Sequence, residues 1–324
     1  MKGQFTVPGA GVSLVVQQAA HMLVDIAADN KLKEVAHQYV ITPVFVGIFG
    51  SRAKVYDGPE SDFDLYVPYI GKLSQYVRAI EADTRQIEGE DILPPQITIE
   101  VVHERKTVSV QLNFVSLDHY IQELNRSNID FRMALDNMLV RYCSVPVYCV
   151  LKVAAQTAID LEKIKQMCIG RASKTVALMK SGKAIKHSEI TDGLYRLLYA
   201  AITTNVKAFQ HIYTNRTPSM AQLLDAYLTN FGGDENTRTT VEALLTTIRS
   251  GQWKDGDYCD VLSAAIIDTI ERVIPLIKER PIMIPENFKY DIEQGIAARM
   301  KMISTINTMF IDLLMKAHTS RSLI

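Results

Sequence analysis

An α+β fold, with a small mixed sheet and flanking helices followed by a mainly helical C-terminal half, is predicted by three features of the sequence. β-Branched and aromatic runs concentrate between Tyr39 and Leu117. From about Asp118 onward nearly every segment carries helical periodicity. The chain of 324 residues, long enough for two domains and a substantial core, shows neither an internal repeat nor a low-complexity tract. The expected division is an N-terminal helical segment over 1–38, a sheet-bearing domain over 39–118 and a helical domain over 119–324.

Taken in order, Ser13 to His37 places Val16, Ala20, Leu23 and Ala27 three or four apart, which predicts helix, with Asn30 expected to break it into two. "YVITPVFVGIF", Tyr39 to Phe49, is the first strand, and Pro43 demotes its first half to an edge or an entry. Gly50-Ser51 ends that strand and opens a short helix. "DGPES", Asp57 to Ser61, is turn-rich, and Asp62 to Val67 is the second strand. A helical stretch is expected near 73–87, then a loop containing Pro94-Pro95. Two alternating runs, "QITIEVVH" and "VSVQLNFVSL", follow as a hairpin around the polar "ERK". In the second half Leu194, Leu197, Leu198, Ala201 and Ile202 form one apolar stripe. Segments near 147–167, 218–230, 238–250, 259–279 and 285–318 have similar character, and "FGGDENT", Phe231 to Thr237, is the clearest loop.

Composition narrows the function classes. With 48% hydrophobic and 22% charged residues the chain is that of an ordinary soluble globular protein. A formal net charge of -1 supplies no global field for nucleic acid or an anionic membrane, so any polyanion site has to be a local patch. Cys143, Cys149, Cys168 and Cys259 form no CxxC pair and no zinc-ligand spacing, which favours buried reduced thiols. Gln17, Gln18 and His21 interrupt the early apolar run, against a signal peptide. Arg141, Pro146 and Lys152 interrupt the nearest approach to a membrane span, Leu139 to Ile159. A cytoplasmic protein without a membrane partner is expected; the sequence sets no oligomeric state.

The chemistry concentrates in "VGIFGSRAKVYDGPESDFDLYV", Val46 to Val67. Gly50 lets the chain turn sharply off its strand, and Ser51 adds a hydroxyl to the free backbone N–H groups at the helix start, a seat for phosphate oxygens. On the next strand Asp62 and Asp64 have the spacing that points both carboxylates to one face, with Phe63 turned the other way. Such a pair can hold Mg²⁺ or Mn²⁺, whose remaining ligands are water and substrate phosphate. Either element alone is common, as a turn or a solvated strand edge. Together, in strand, Gly-Ser, short helix, turn and Asp-x-Asp, they point to phosphoryl or nucleotidyl transfer.

This stretch resembles the DNA polymerase β-like nucleotidyltransferase superfamily, whose hallmark is a Gly-Ser at a helix start followed by Asp-x-Asp on the next strand. The nearer resemblance is to predicted nucleotidyltransferases associated with RNA repair, where Gly-Ser-Arg-Ala and Ser-Asp-aromatic-Asp stand at this separation. "VSLDHYIQELNRSN" looks like the family's strand-to-helix segment and "IKHSEITDGLYRLL" like its later basic-then-Arg-Leu-Leu helix. The resemblance makes 39–118 a catalytic domain and 119–324 an acceptor domain. It implies an NTP held by Gly50, Ser51 and Arg52, with a metal on Asp62 and Asp64. NMP would pass to an acceptor hydroxyl, an RNA end being favoured over tRNA, a protein hydroxyl or a small molecule. A catalytically inactive module for nucleotide binding or interaction is the alternative.

The chain departs from the family twice. Lys54-Val55 stand where an aromatic-Gly usually follows the Gly-Ser-Arg-Ala. The third carboxylate, which the resemblance places near Gln111 or Asn113, meets amides there. Alternation offers a replacement: with the hairpin turning at Glu104-Arg105, Glu100 lies opposite Ser109 and shares a face with Gln111 and Asn113. A surface glutamate is the other reading, since a one-residue slip reverses the face.

A basic run, "RASKTVALMKSGKAIKH", carries Arg171, Lys174, Lys180, Lys183 and Lys186 without an acid. Lys183 and Lys186 are taken as triphosphate or polynucleotide contacts, against the reading of a solvated helix end. Arg196, four residues after Asp192, is explained by an i,i+4 pair. His187 stays ambiguous.

Overall fold

The computed structural model describes residues 14–54, 61–71, 93–103, 106–140, 151, 155, 159–182, 185–205, 207–208, 217–232, 234–250, 260–282, 308, 311–312 and 315. Over these the fold is α+β, as expected, with a mixed sheet between helices.

Helix α1, Leu14–Gln38, runs unbroken through Asn30. Asparagine in a helix costs less than about 1 kcal/mol. Here the Lys31–Glu34 and Asp29–Lys33 pairs, 2.5 and 2.6 Å, brace the outer face on either side of it. The buried stripe over the described side chains is Val24, Ala28, Leu32 and Val35, with the expected Ala27 half-buried beside it.

The sheet has strand order β4-β5-β3-β2-β6, with β1 pairing to β3 off this path. Its strands are β1, Thr42–Pro43, β2, Val46–Phe49, β3, Phe63–Ile70, β4, Gln96–His103, β5, Lys106–Ser116, and β6, Met138–Val140. Pro43 splits the first run as its missing N–H requires, leaving the two-residue β1. β3 and β5 are parallel and the other pairings antiparallel. Phe63, Leu65, Val67, Val110 and Leu112 alternate onto the face that α1 covers.

The opposite face divides. At one end it packs against α3, Leu117–Asn125, and α4, Ile129–Asp136, through Tyr120, Ile121, Phe131 and Leu135. A Cβ at Gly47 would overlap the Ala134 carbonyl, so α4 lies directly on β2. At the other end the same face carries Asp62, Asp64, Gln111 and Asn113.

The helical half contains α5, Leu161–Lys180, α6, His187–Thr203, α7, Met220–Phe231, α8, Glu235–Arg249, and α9, Asp260–Glu279. The predicted stripe of α6 is fully buried, and so are Tyr195, Tyr199 and Ala200 on its other sides, making α6 the central helix of this core. The expected loop after Phe231 is shorter than "FGGDENT". Gly232, at φ +84°, ends α7 and Asp234 caps α8, so Glu235 to Thr237 are already helical.

The expected helix near 73–87 lies outside the described residues, as do nearly all of 285–318, most of 147–160, and Cys143, Cys149 and Cys259. Cys168 is a buried free thiol, its pKa pushed up to about 12 by burial. No described helix is long and apolar enough to cross a membrane.

Candidate active site

Three neighbouring elements build the site. Phe49 ends β2 paired to Asp64 of β3, and Gly50 turns the chain off with φ +74°. That conformation is strained for any residue with a Cβ, and a Cβ here would also overlap the Asp64 carboxylate. Gly50 is therefore required by the turn, and its missing Cβ leaves the Asp64 carboxylate its place beside it. The helix it opens, α2, Gly50–Ala53, is a single turn closed by the Lys54 N–H on the Gly50 carbonyl at 3.3 Å.

Asp64 lies beside Gln111 in the parallel β3–β5 register. Gln111 Nε2 donates to Asp62 Oδ2 at 2.8 Å, and its Oε1 accepts from Gln96 Nε2 at 2.8 Å. Asn113 Nδ2 donates to the carbonyls of Leu65 and Gln111, both at 3.3 Å. The two amides thus stand on the carboxylate face, and Gln111 touches Asp62 itself.

Glu100 is exposed and paired with Ser109, as the hairpin alternation requires. Continuing the β3–β5 register one step places Asp62 beside Ser109 from the other side. The Glu100 and Asp62 backbones are then two strand spacings apart, about 10 Å.

Burial, then the nearby Asp62 charge, raises the Asp64 pKa to about 6, against the opposing pull of Lys54 and Arg52. Arg52 is engaged with the backbone entering β3. Its Nε donates to the Ser61 and Asp62 carbonyls at 3.0 and 3.2 Å, its Nη2 also reaches Ser61, and Cζ sits 3.9 Å over the Phe63 ring. This holds Asp62 immediately ahead of β3, which starts one residue later than expected, at Phe63.

Of the basic run, Lys183 lies outside the described residues, and Lys186 is exposed just before α6. Lys174 is exposed, Lys180 pairs with Glu271 at 2.6 Å, and Arg171 Nε reaches Asp192 Oδ2 at 3.2 Å.

A buried ionic cluster beside the site went unseen in the sequence. Lys54, 2% exposed, places Nζ 2.5 Å from Asp192 Oδ1 and 3.4 Å from Asp130 Oδ1. Arg196 bridges the same two acids, at 2.8 Å to Asp192 and 2.5 Å to Asp130, so the expected i,i+4 pair is one edge of a larger network. Burial works to raise both carboxyls, but Lys54 and Arg196 overcome it and hold them below the ordinary range. The available signals were the Asp192–Arg196 spacing and a lysine at a family aromatic position.

The donor set suits a magnesium-type ion. Asp62 and Asp64 share a face, and the Asp64 carboxyl, raised by burial first and by the Asp62 charge second, is one whose anion a divalent cation would favour. Such an ion takes one or two carboxylates and fills its remaining positions with water and phosphate oxygens. Among the described residues no group of three or more His, Cys, Asp or Glu gathers to hold a metal without that help.

No protein-family model matches the sequence, and no match is found among curated proteins. Among solved structures the chain is similar to a nucleotidyltransferase-like protein from Exiguobacterium sibiricum 255-15, at 11% identity, over 78% of this chain and 74% of that one, with a TM-score of 0.30. A TM-score of that size assigns this chain neither a family nor an activity.

Proposed function

We propose that the chain is a metal-dependent nucleotidyltransferase that moves NMP from an NTP to an acceptor hydroxyl, with an RNA end as the favoured acceptor. One observation carries the reading: the Gly50-Ser51 turn abuts Asp64 of β3, and Asp62, immediately ahead of that strand, shares its face beside Gln111. Backbone N–H groups and the Ser51 hydroxyl would seat the triphosphate, and Asp62 and Asp64 would hold Mg²⁺ or Mn²⁺. When bound, that ion neutralises developing charge and acidifies the acceptor hydroxyl. Arg52 keeps Asp62 in place through the Ser61 and Asp62 carbonyls. Glu100 is the proposed proton acceptor for a hydroxyl lying over Ser109, since an amide such as Gln111 cannot take a proton.

Incubation with mixed labelled NTPs, total RNA and protein tests the assignment: label should enter RNA, and Asp62→Asn should abolish transfer. Glu100→Gln should leave NTP binding intact and slow turnover roughly 10²–10⁴-fold. Full activity in Glu100→Gln removes that residue from the mechanism.

A second reading, a nucleotide-binding module without catalysis, is favoured by Gln111 bonding to Asp62 where the family carries its third acid. It predicts Mg²⁺-NTP binding without transfer, and gain of activity in Gln111→Asp.

A further inference from the structure

We propose that Lys54 is a positioning residue through which the helical half fixes the Gly50-Ser51 turn against Asp64; its effect on ligand binding rests on reading that turn as the phosphate seat. A helix of four residues has no stability of its own, so contacts outside it must set the place of α2. Arg52 ties it to the start of β3. Ala53 packs into the core under the sheet, and Lys54 ties the turn to the helical half. Its amide donates to the Gly50 carbonyl at 3.3 Å, its carbonyl accepts from Met220 N–H at the start of α7 at 3.3 Å, and its ammonium enters the Asp192 and Asp130 pair. The Lys54 ammonium also lies 5.1 Å from the centre of the Tyr195 ring of α6. A single residue thus links α4, α6 and α7 to the carbonyl of the glycine that makes the turn.

The acids themselves are held. Asn128 caps α4 by accepting from the Asp130 N–H at 3.1 Å, which fixes the first turn where Asp130 sits. Asp192 is gripped by Arg196 on its own helix and by Arg171 from α5. Gly193, next to it, lets α5 approach closely: a Cβ there would stand 2.6 Å from Thr175 Oγ1. A buried ammonium is costly unless paired and hydrogen-bonded. Lys54 is therefore confined to this one arrangement, and α2 with it.

The test uses the full chain. Lys54→Met alone leaves buried carboxylates short of a partner and risks unfolding, so it is combined with Asp192→Asn. The cluster then keeps the same single excess of positive charge, two cations to one acid instead of three to two. Arg171→Gln, which removes a contact to Asp192 without touching Lys54, is the control. Melting temperature, the amide NMR shifts of Gly50 and Ser51, and the affinity for inorganic tripolyphosphate with Mg²⁺ are measured on each.

Lys54→Met/Asp192→Asn is expected to stay folded, to shift the Gly50 and Ser51 amides, and to bind tripolyphosphate roughly 10- to 100-fold more weakly. Arg171→Gln should leave both amides in place. Wild-type amide positions in the double variant, or equal shifts in Arg171→Gln, overturn the proposal. If wild type itself binds no tripolyphosphate, the phosphate-seat reading fails, and the amide shifts still decide whether Lys54 positions the turn.

Discussion

Asp64 is the residue on which the site's charge state turns. Its carboxyl titrates near 6 because burial and then Asp62 disfavour the anion more than Lys54 and Arg52 favour it. The folded chain therefore binds a proton more tightly than the unfolded one, whose aspartate titrates near 3.8. This group's contribution to stability is fully present below about pH 4 and falls as pH rises to about 6. A divalent cation needs the anion, so metal and proton compete. Mg²⁺ should raise the melting temperature of wild type at pH 7.5, with the increment shrinking as pH falls through about 6. Asp64→Asn should show a smaller increment with little pH dependence, and equal increments in both proteins would refute a paired site. That the Gly50 turn would stand beside Asp62 and Asp64 was legible because turn chemistry and side-chain alternation are local. The ion-pair role of Lys54 was not, since Asp192 is 138 positions away.

Among the elements, the β4–β5 hairpin follows its expected alternation: Glu100 meets Ser109 and Gln111 shares the carboxylate face. Helix α1 shows the reverse, because one asparagine cannot break a helix whose next turns bury Leu32 and Val35. Nor can a stripe of five residues announce that α6 is buried on its other sides too. The ionic cluster between α2, α4, α5 and α6 predicts an acid response. Asp130 and Asp192 titrate below the ordinary range once folded, so the stability they confer is present above about pH 4 and is lost as pH falls below it. Asp192→Ala leaves Lys54 and Arg196 short of an acid and should cost about 3–5 kcal/mol in denaturant unfolding. Asp192→Asn should flatten the loss of stability below pH 4. A cost under about 1 kcal/mol would show that the cluster contributes little.

At the scale of the molecule, the sheet presents two carboxylates and a glycine turn, and the helical half reaches that turn through Lys54. The α+β class and the order of its parts were legible in the change from alternating to helical periodicity near Asp118. The sheet nevertheless takes its last strand, Met138–Val140, from beyond that change, because three residues are too few for a periodic signal. The amides at Gln111 and Asn113 leave enzyme and non-catalytic module as the two outcomes for the same fold. Metal-dependent release of pyrophosphate from NTPs, with RNA as acceptor, separates them most directly. Wild type should release pyrophosphate only with Mg²⁺ or Mn²⁺, and Asp62→Asn and Asp64→Asn should not. Release at wild-type rate by either variant, or none from wild type with any NTP, would contradict the assignment.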